Sequence, residues 1–133
     1  MGSKSDYLEN KVLDHVLRVS SFTVPAANYV ALYTVTPSDA GGGTEVSTGV
    51  WTNYARKSAT FNAASGGATS NSNLVDFGTA TISGGAPTVV AFGLLDASTS
   101  GNLLYWGALA VNKTINNGDP VTIPIGDLDI TED

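Results

Sequence analysis

Apolar residues recur at helical spacing near the start of the chain. Between Ser5 and Val19 they occupy positions 8, 12, 13, 16 and 17, a spacing typical of one apolar helix face. Ser5 or Asp6 can cap the first turn, and Asp6 with Glu9 three residues later matches a capping box. Arg18 suits the negative end of the helix dipole. The pattern predicts one amphipathic helix over residues 5–19, of roughly four turns.

After this helix the pattern changes to short apolar runs between turn-forming clusters. Ser20, Ser21 and Pro25 interrupt the helical spacing, and separators rich in Gly, Ser, Asn and Asp follow. We therefore predict a mainly β protein with one N-terminal amphipathic α-helix, an antiparallel β-sandwich of about six or seven strands over residues 28–131, in a single domain 1–133. The predicted strands are Tyr29–Thr36, Tyr54–Phe61, Leu74–Ile82, Thr88–Leu95, Leu103–Val111 and Val121–Ile130.

Two of the predicted strands, at 89–92 and 103–106, are apolar on both faces. Such a strand needs a cover on each side, and we expect the helix to cover part of the sheet and a neighbouring subunit to cover the rest. In three strands an aromatic residue directly precedes a glycine, at 77–78, 92–93 and 106–107. Glycine inside a strand marks a β-bulge or the close approach of a ring or another backbone.

Composition narrows the classes of function. Hydrophobic residues make up 42% and charged residues only 14%, so the surface is built largely from small polar and apolar side chains that suit contact with neighbouring subunits. The net charge of −6 and the scattered basic residues argue against nucleic acid and against an anionic membrane as partners. Cysteine is absent, and the N-terminal pattern does not match a signal peptide.

The sequence offers little to support catalysis, a cofactor or a metal ion, and we predict none of these. His15 is the only histidine and has neither a second histidine nor a cysteine to act with. Acidic residues at 127, 129, 132 and 133 would suit calcium. The first two alternate with apolar residues, which is typical of a half-buried terminal strand, and we favour that interpretation.

One helix face and two loops are candidate contacts with a partner. Lys11, His15 and Arg18 share a face that either docks on a partner or is simply solvated. The loops Ser38–Glu45, with its acids Asp39 and Glu45, and Asn62–Asn73 are rich in Gly, Ser and Asn. We expect both loops to order only against neighbouring subunits, since packing against a neighbour would offset the lost chain entropy.

Aromatic residues form a further group of candidates. Trp51, Tyr54, Tyr105 and Trp106 could form a platform for stacking against sugars, although aromatic residues in strands more often belong to the core. Tyr105 and Trp106 are adjacent, so one must face the core and the other the opposite side of its sheet. We predict subunit contacts for the outward-facing ring and for Trp51.

Several blocks of the chain resemble a family of small structural proteins of tailed bacteriophages. The opening SDYLENKVLDHVLR, the run YVALYT followed by PSDAGGGTEV, and the blocks YARK, FNAASGG and GNLLYWGAL carry this resemblance. Members are labelled tail-fibre-like or virion proteins. The resemblance implies a virion location after assembly in the host cytoplasm. It also implies contacts with the major capsid protein or other virion proteins, in several copies of the chain.

Two placements in the particle compete. Small size, low charge and the absence of a fibrous segment favour a capsid decoration (cement) protein, which binds and stabilises the major capsid protein lattice. The alternative is a component of the tail or its fibres, including a receptor-facing module, although a fibre normally needs a trimerising shaft. A free carbohydrate-binding module is a third hypothesis, and it would need exposed aromatic rings in one groove.

Overall fold

A computed structural model describes residues 3–132, in which one helix and ten strands form. The prediction of a mainly β protein with a helix near its N-terminus is confirmed. The helix α1 is Asp6–Val16. The strands are β1 Ser3–Lys4, β2 Asn28–Val35, β3 Thr44–Glu45, β4 Lys57–Ala59, β5 Ala68–Ser70, β6 Val75–Thr79, β7 Thr88–Leu95, β8 Leu103–Thr114, β9 Pro120–Ile123 and β10 Asp129–Thr131.

All strand pairs are antiparallel, and the sheets are arranged like a sandwich. The larger sheet has the order β1-β8-β7-β2-β3, and β4 also pairs with β2. Two smaller sheets, β5–β10 and β6–β9, complete the set within residues 3–132. The number of strands exceeds the prediction because strands of two or three residues also form before the helix, as β1, and inside the separators, as β3 and β5. In addition, the predicted run 121–130 is divided by the turn at Pro124–Gly126.

The main core brings together one face of the large sheet and residues from the smaller sheets and loops. Its centre is aromatic: the rings of Tyr54 and Phe77 are stacked with centroids 6.1 Å apart, and Trp51 lies 5.4 Å from Tyr54. Around them pack the buried side chains of Val30, Leu32, Val46, Ala59, Val75, Ala80, Val89, Phe92, Leu94, Ile115, Leu128 and Ile130.

The opposite face of the large sheet is also apolar, as predicted, and its own side chains pack together over it. Ala31, Tyr33, Ala91 and Leu95 form a second buried cluster with Leu103 packed against it. The covering side chains lie over Gly93, where a Cβ atom would fall 2.8 Å from the Tyr33 ring and 2.9 Å from Leu103. The prediction that a ring lies close to a strand glycine is therefore confirmed here.

Gly78 lies at a β-bulge, which is the other role predicted for a glycine inside a strand. The register between β6 and β9 shifts between Asp76 and Gly78, which marks a bulge, and Gly78 has a φ of 77°. The Asp76 carboxylate accepts a hydrogen bond from the Gly78 N–H at 2.7 Å. An L-residue at position 78 would be strained, because that backbone conformation favours glycine.

The loop 62–73 is held by hydrogen bonds within the chain, which differs from the expectation that it orders only against neighbours. Asn71 is fully buried. Its side-chain amide donates to the carbonyls of Asn73 and Pro124 at 2.8 and 3.0 Å, and its carbonyl oxygen accepts from the N–H groups of Gly126 and Leu128. One side chain thus joins this loop to the C-terminal segment.

Candidate interaction surface

Ser5 anchors the helix to the edge of the large sheet. Its N–H donates to the carbonyl of Leu104 at 2.9 Å, and its hydroxyl donates to the carbonyl of Leu103. The same hydroxyl accepts a hydrogen bond from the N–H of Leu8 at 3.2 Å, so Ser5 is the N-cap. Ser5 is one of the two caps that the sequence predicts. The predicted capping box is wrong, because with Ser5 as the cap the third helical residue is Leu8 rather than Glu9.

The helix contacts the sheet along β8 but covers less of it than the sequence-based expectation requires. Leu8 is its one buried residue, whereas the other apolar residues of the stripe are exposed. These residues are Val12, Leu13, Val16 and Leu17, which are 37%, 56%, 67% and 68% exposed, respectively. We call them the apolar helix face. The helix also ends earlier than predicted, at Val16 instead of residue 19.

The face that carries Lys11 and His15 is the one nearer the rest of the chain. After the helix the chain turns back, and the N–H of Phe22 donates to Nδ1 of His15 at 3.1 Å. Lys11 is half-buried, with Nζ 5.7 Å from the centre of the Tyr7 ring. Arg18 is exposed and has a φ of 65°, which reverses the chain direction just after the helix. Residues 5–24 therefore form a protruding hairpin, which we call the helical hairpin.

Asp39 and Trp106, two of the predicted contact residues, lie together at the base of the helical hairpin. The indole N–H of Trp106 donates to the Asp39 carboxylate at 2.9 Å, and the Asp39 carbonyl accepts from the N–H of Asp6 at 2.8 Å. Trp106 pairs with Gly93 and Ser3 in the large sheet and remains half-buried. This pair holds the start of the helix against the sheet.

Tyr105 faces the other way, as predicted for adjacent strand residues. It packs against the main core, and its hydroxyl donates to the Glu132 carboxylate at 2.6 Å. Lys4 completes the group, with Nζ 2.8 Å from Glu132. Partial burial alone would raise the pKa of Glu132, but the hydrogen bonds from Lys4 and Tyr105 outweigh it and lower that pKa.

Glu45 is part of an internal network rather than a free surface acid. Its carboxylate accepts from Tyr54 at 2.8 Å and from two nitrogens of Arg56 at 3.0 and 2.8 Å. Arg56 also donates to the carbonyls of Ala97 and Ser100, which fixes the 96–100 loop. Burial is the main cause that raises the pKa of Tyr54 well above its ordinary value. The hydroxyl of Tyr54 therefore stays protonated and donates to Glu45.

Trp51 is 0% exposed and lies at the centre of the main core, so it offers no surface to a partner. This corrects its assignment as a contact residue, because the ring supplies core packing instead. Its indole N–H has no hydrogen-bond partner within the described part of the chain. Tyr54 is also buried, and Tyr105 and Trp106 lie on opposite faces of one strand. The four aromatic residues therefore do not form a sugar-binding platform.

The acidic C-terminal segment forms a strand in which Asp129 is exposed and Ile130 is buried, the alternation predicted for a half-buried strand. Asp133, the last acid considered for calcium, lies outside the described residues. Within residues 3–132, no group of three or more His, Asp or Glu side chains is placed to hold a metal ion. The helix of this range is too short to cross a bilayer.

The apolar helix face was missed as a candidate contact surface. Its residues were identified from their spacing, but an amphipathic helix normally turns its apolar side toward its own core. Here the cap at Ser5 and the returning segment beside His15 turn that side outward. One signal was present in the sequence. Ser20, Ser21 and Pro25 end the helix only a few residues before β2, so the segment that returns to the sheet is short.

Comparison with known protein families gives a match that covers almost the whole chain. The model of the family Gp80, described as podophage GP4 fiber I protein gp80, matches residues 3–131. A search of curated proteins gives no significant match. The matched range includes the helical hairpin, both faces of the large sheet and the C-terminal strand. The resemblance to small phage virion proteins is thereby confirmed, and the chain belongs to the Gp80 family of podophage fiber proteins.

Proposed function

We propose that this protein is a structural subunit of the fibres on a podophage particle. The observation that carries the proposal is the match over residues 3–131 to a family that is described as a podophage fiber protein. The partners would be neighbouring virion proteins, bound by surface fit without a chemical step. In support, His15, which was considered for possible chemistry, has a structural contact, because it accepts a hydrogen bond from the returning chain at Phe22.

The hairpin weakens the sequence-based argument against a fibre location. That argument held that a fibre normally needs a trimerising shaft, and that this chain has no fibrous segment. An exposed apolar helix is itself such a segment, because helix faces of this kind pack into grooves or against other helices. A fibre subunit therefore does not need a separate shaft within this chain.

Capsid decoration is the second candidate, and one feature favours it. The helix has 11 residues, a length of about 16 Å, and the remaining elements of residues 3–132 are strands in sheets. This shape suits a protein that sits on a lattice at least as well as it suits a filament. The family match says nothing about contact with the major capsid protein, so that contact remains a prediction.

Purified virions decide between the two locations. We expect gold-labelled antibody against this chain to mark the tail region by electron microscopy, with antibody against the major capsid protein as the control. Gel densitometry should then give a copy number that is a small multiple of the tail symmetry. Label spread over the capsid, with a copy number that scales with the capsid lattice, would instead establish decoration. Absence of the chain from purified virions would refute both.

A further inference from the structure

We infer that the apolar helix face is a self-association surface, which pairs with the same face of a second copy in antiparallel orientation. The exposed apolar area is the first observation. The four residues of the face, together with Val19 and Val24, which are 74% and 79% exposed, leave several hundred Å² of apolar surface in water. A standard interface takes about 800 Å² from each partner. The hairpin supplies a large share of that area by itself.

The distribution of charge favours a second copy as the occupant. The helical hairpin carries three acids and two bases, so its formal net charge is −1: Asp6, Glu9, Asp14, Lys11 and Arg18. Lys4, next to it, is already paired with Glu132. The hairpin thus has charges of both signs, and a second copy presents the same mixture, so opposite charges of the two copies can be brought together.

The order of charges along the helix sets the orientation. Asp6 and Glu9 lie in the first turn, whereas Arg18 follows the last turn. A parallel pair would place the acids of both copies side by side. In an antiparallel pair centred on the apolar helix face, the acidic first turn of each copy lies toward the end of the other helix that is followed by Arg18. The two helix dipoles are also opposed in this arrangement, which is favourable.

The hairpin is held in place before any partner arrives, which lowers the entropic cost of association. Ser5 is bonded to two carbonyls of β8, and Asp6 is bonded to the Asp39 carbonyl. Phe22 holds the returning segment to His15. Surfaces that need little ordering on binding retain more of their contact energy as affinity. This inference goes beyond the proposed function, since it holds whether the protein lies on a fibre or on the capsid.

Sedimentation of the purified full-length protein tests the inference. We expect a reversible dimer in the range up to about 100 μM, where even micromolar affinity is detected. Leu13→Glu should raise its dissociation constant at least about tenfold, because a carboxylate would be buried in the contact. Leu17→Ser should weaken it in the same direction. Val111→Glu is the matched control, since Val111 is 80% exposed on β8, and it should sediment like the parent.

Cross-linking tests the orientation, and the chain's lack of cysteine makes this direct. Val12→Cys and Leu17→Cys proteins of different mass are mixed and treated with a short bismaleimide. The antiparallel pair predicts that the mixed 12–17 product exceeds both homodimeric products. Predominant 12–12 and 17–17 products would overturn the antiparallel arrangement. A parent protein that stays monomeric, or a Leu13→Glu dimer as strong as the control, would overturn self-association itself.

Discussion

At the scale of single residues, the buried hydroxyl of Tyr54 joins a β-strand to an ion pair. It accepts a hydrogen bond from the N–H of Leu32 at 3.0 Å and donates to Glu45, which is held by Arg56. Tyr54→Phe leaves both the Leu32 N–H and part of the carboxylate without their partner. A buried polar group without a hydrogen bond costs about 1–3 kcal/mol.

We therefore expect Tyr54→Phe to lower the free energy of unfolding by about 1–3 kcal/mol in urea titrations. Tyr29→Phe is the control, because Tyr29 lies half-buried on β2 and its hydroxyl makes no hydrogen bond within residues 3–132. Equal stability of the two variants would show that the Tyr54 hydroxyl contributes nothing beyond its ring.

The Lys4–Glu132 pair makes the docking of β1 dependent on pH. The pKa of Glu132 is lowered, so its contribution is complete above the unfolded pKa and is lost as the pH falls through the folded value. The pKa of Lys4 is raised, chiefly by its hydrogen bond to Glu132, so its contribution is lost only in strong alkali. Both side chains are partly exposed, which limits the effect to less than about 1 kcal/mol.

The expected result is loosening of β1 once the pH falls below the ordinary pKa of a glutamate, while the sandwich stays folded. NMR chemical shifts of Lys4 and Tyr105 across an acid titration would report it. Glu132→Gln should abolish this acid step, since it keeps the size of the side chain but cannot titrate. An unchanged step in that variant would assign the titration to another group.

At the scale of elements, the side chain of Asn71 holds in place a loop whose composition favours flexibility. Three hydrogen bonds of one side chain join the 62–73 loop to Pro124, Gly126 and Leu128, and a fourth binds Asn73 within the loop. The sequence of this loop predicts flexibility, because glycine, serine and asparagine gain little from burial. The contacts that overcome this lie more than 50 residues away along the chain.

Asn71→Ala should destabilise the protein by at least about 2 kcal/mol, because several backbone groups lose their partner together. Thermal unfolding provides the measurement, and amide exchange in residues 62–73 should accelerate with it. Asn62→Ala is the control, since Asn62 is exposed in the same loop. A similar loss of stability in both variants would contradict this prediction, because it would show that the effect is not specific to the buried amide of Asn71.

The helix shows how a correct element can have an unexpected role. Its existence, its position and one of its two candidate caps followed from apolar spacing and from Ser5, which are local features. The direction of its apolar face did not follow. That direction depends on where the first turn attaches, and Asp39 and Leu104 are distant in sequence.

At the scale of the whole molecule, the structure consists of a tightly packed sandwich and a less packed hairpin. Leu8 is the one buried residue of the helix, whereas the sandwich has two apolar clusters. Local unfolding should therefore begin in the hairpin, since few buried contacts oppose it. Arg18 is exposed there, whereas the side chain of Arg56 is 10% exposed and ion-paired.

Limited trypsin digestion of the monomeric Leu13→Glu variant should therefore cleave first after Lys11 or Arg18, with Arg56 resisting. Intact-mass spectrometry identifies the first products. If the parent protein pairs through its hairpin, it should be cleaved more slowly at Arg18 at high concentration than at low concentration. First cleavage after Arg56 would contradict this order of local stability.

The sequence by itself determined the class of the protein and most of its elements. Alternation, turn residues and helical spacing are local properties, and they placed β2, β7 and α1 within a few residues of their observed bounds. Tertiary structure alone decided the fate of the candidate contacts. It enclosed Trp51, paired Asp39 with Trp106, tied Glu45 to Arg56 and turned the apolar helix face outward. These outcomes depend on hydrogen bonds and packing between distant segments, which local spacing does not encode.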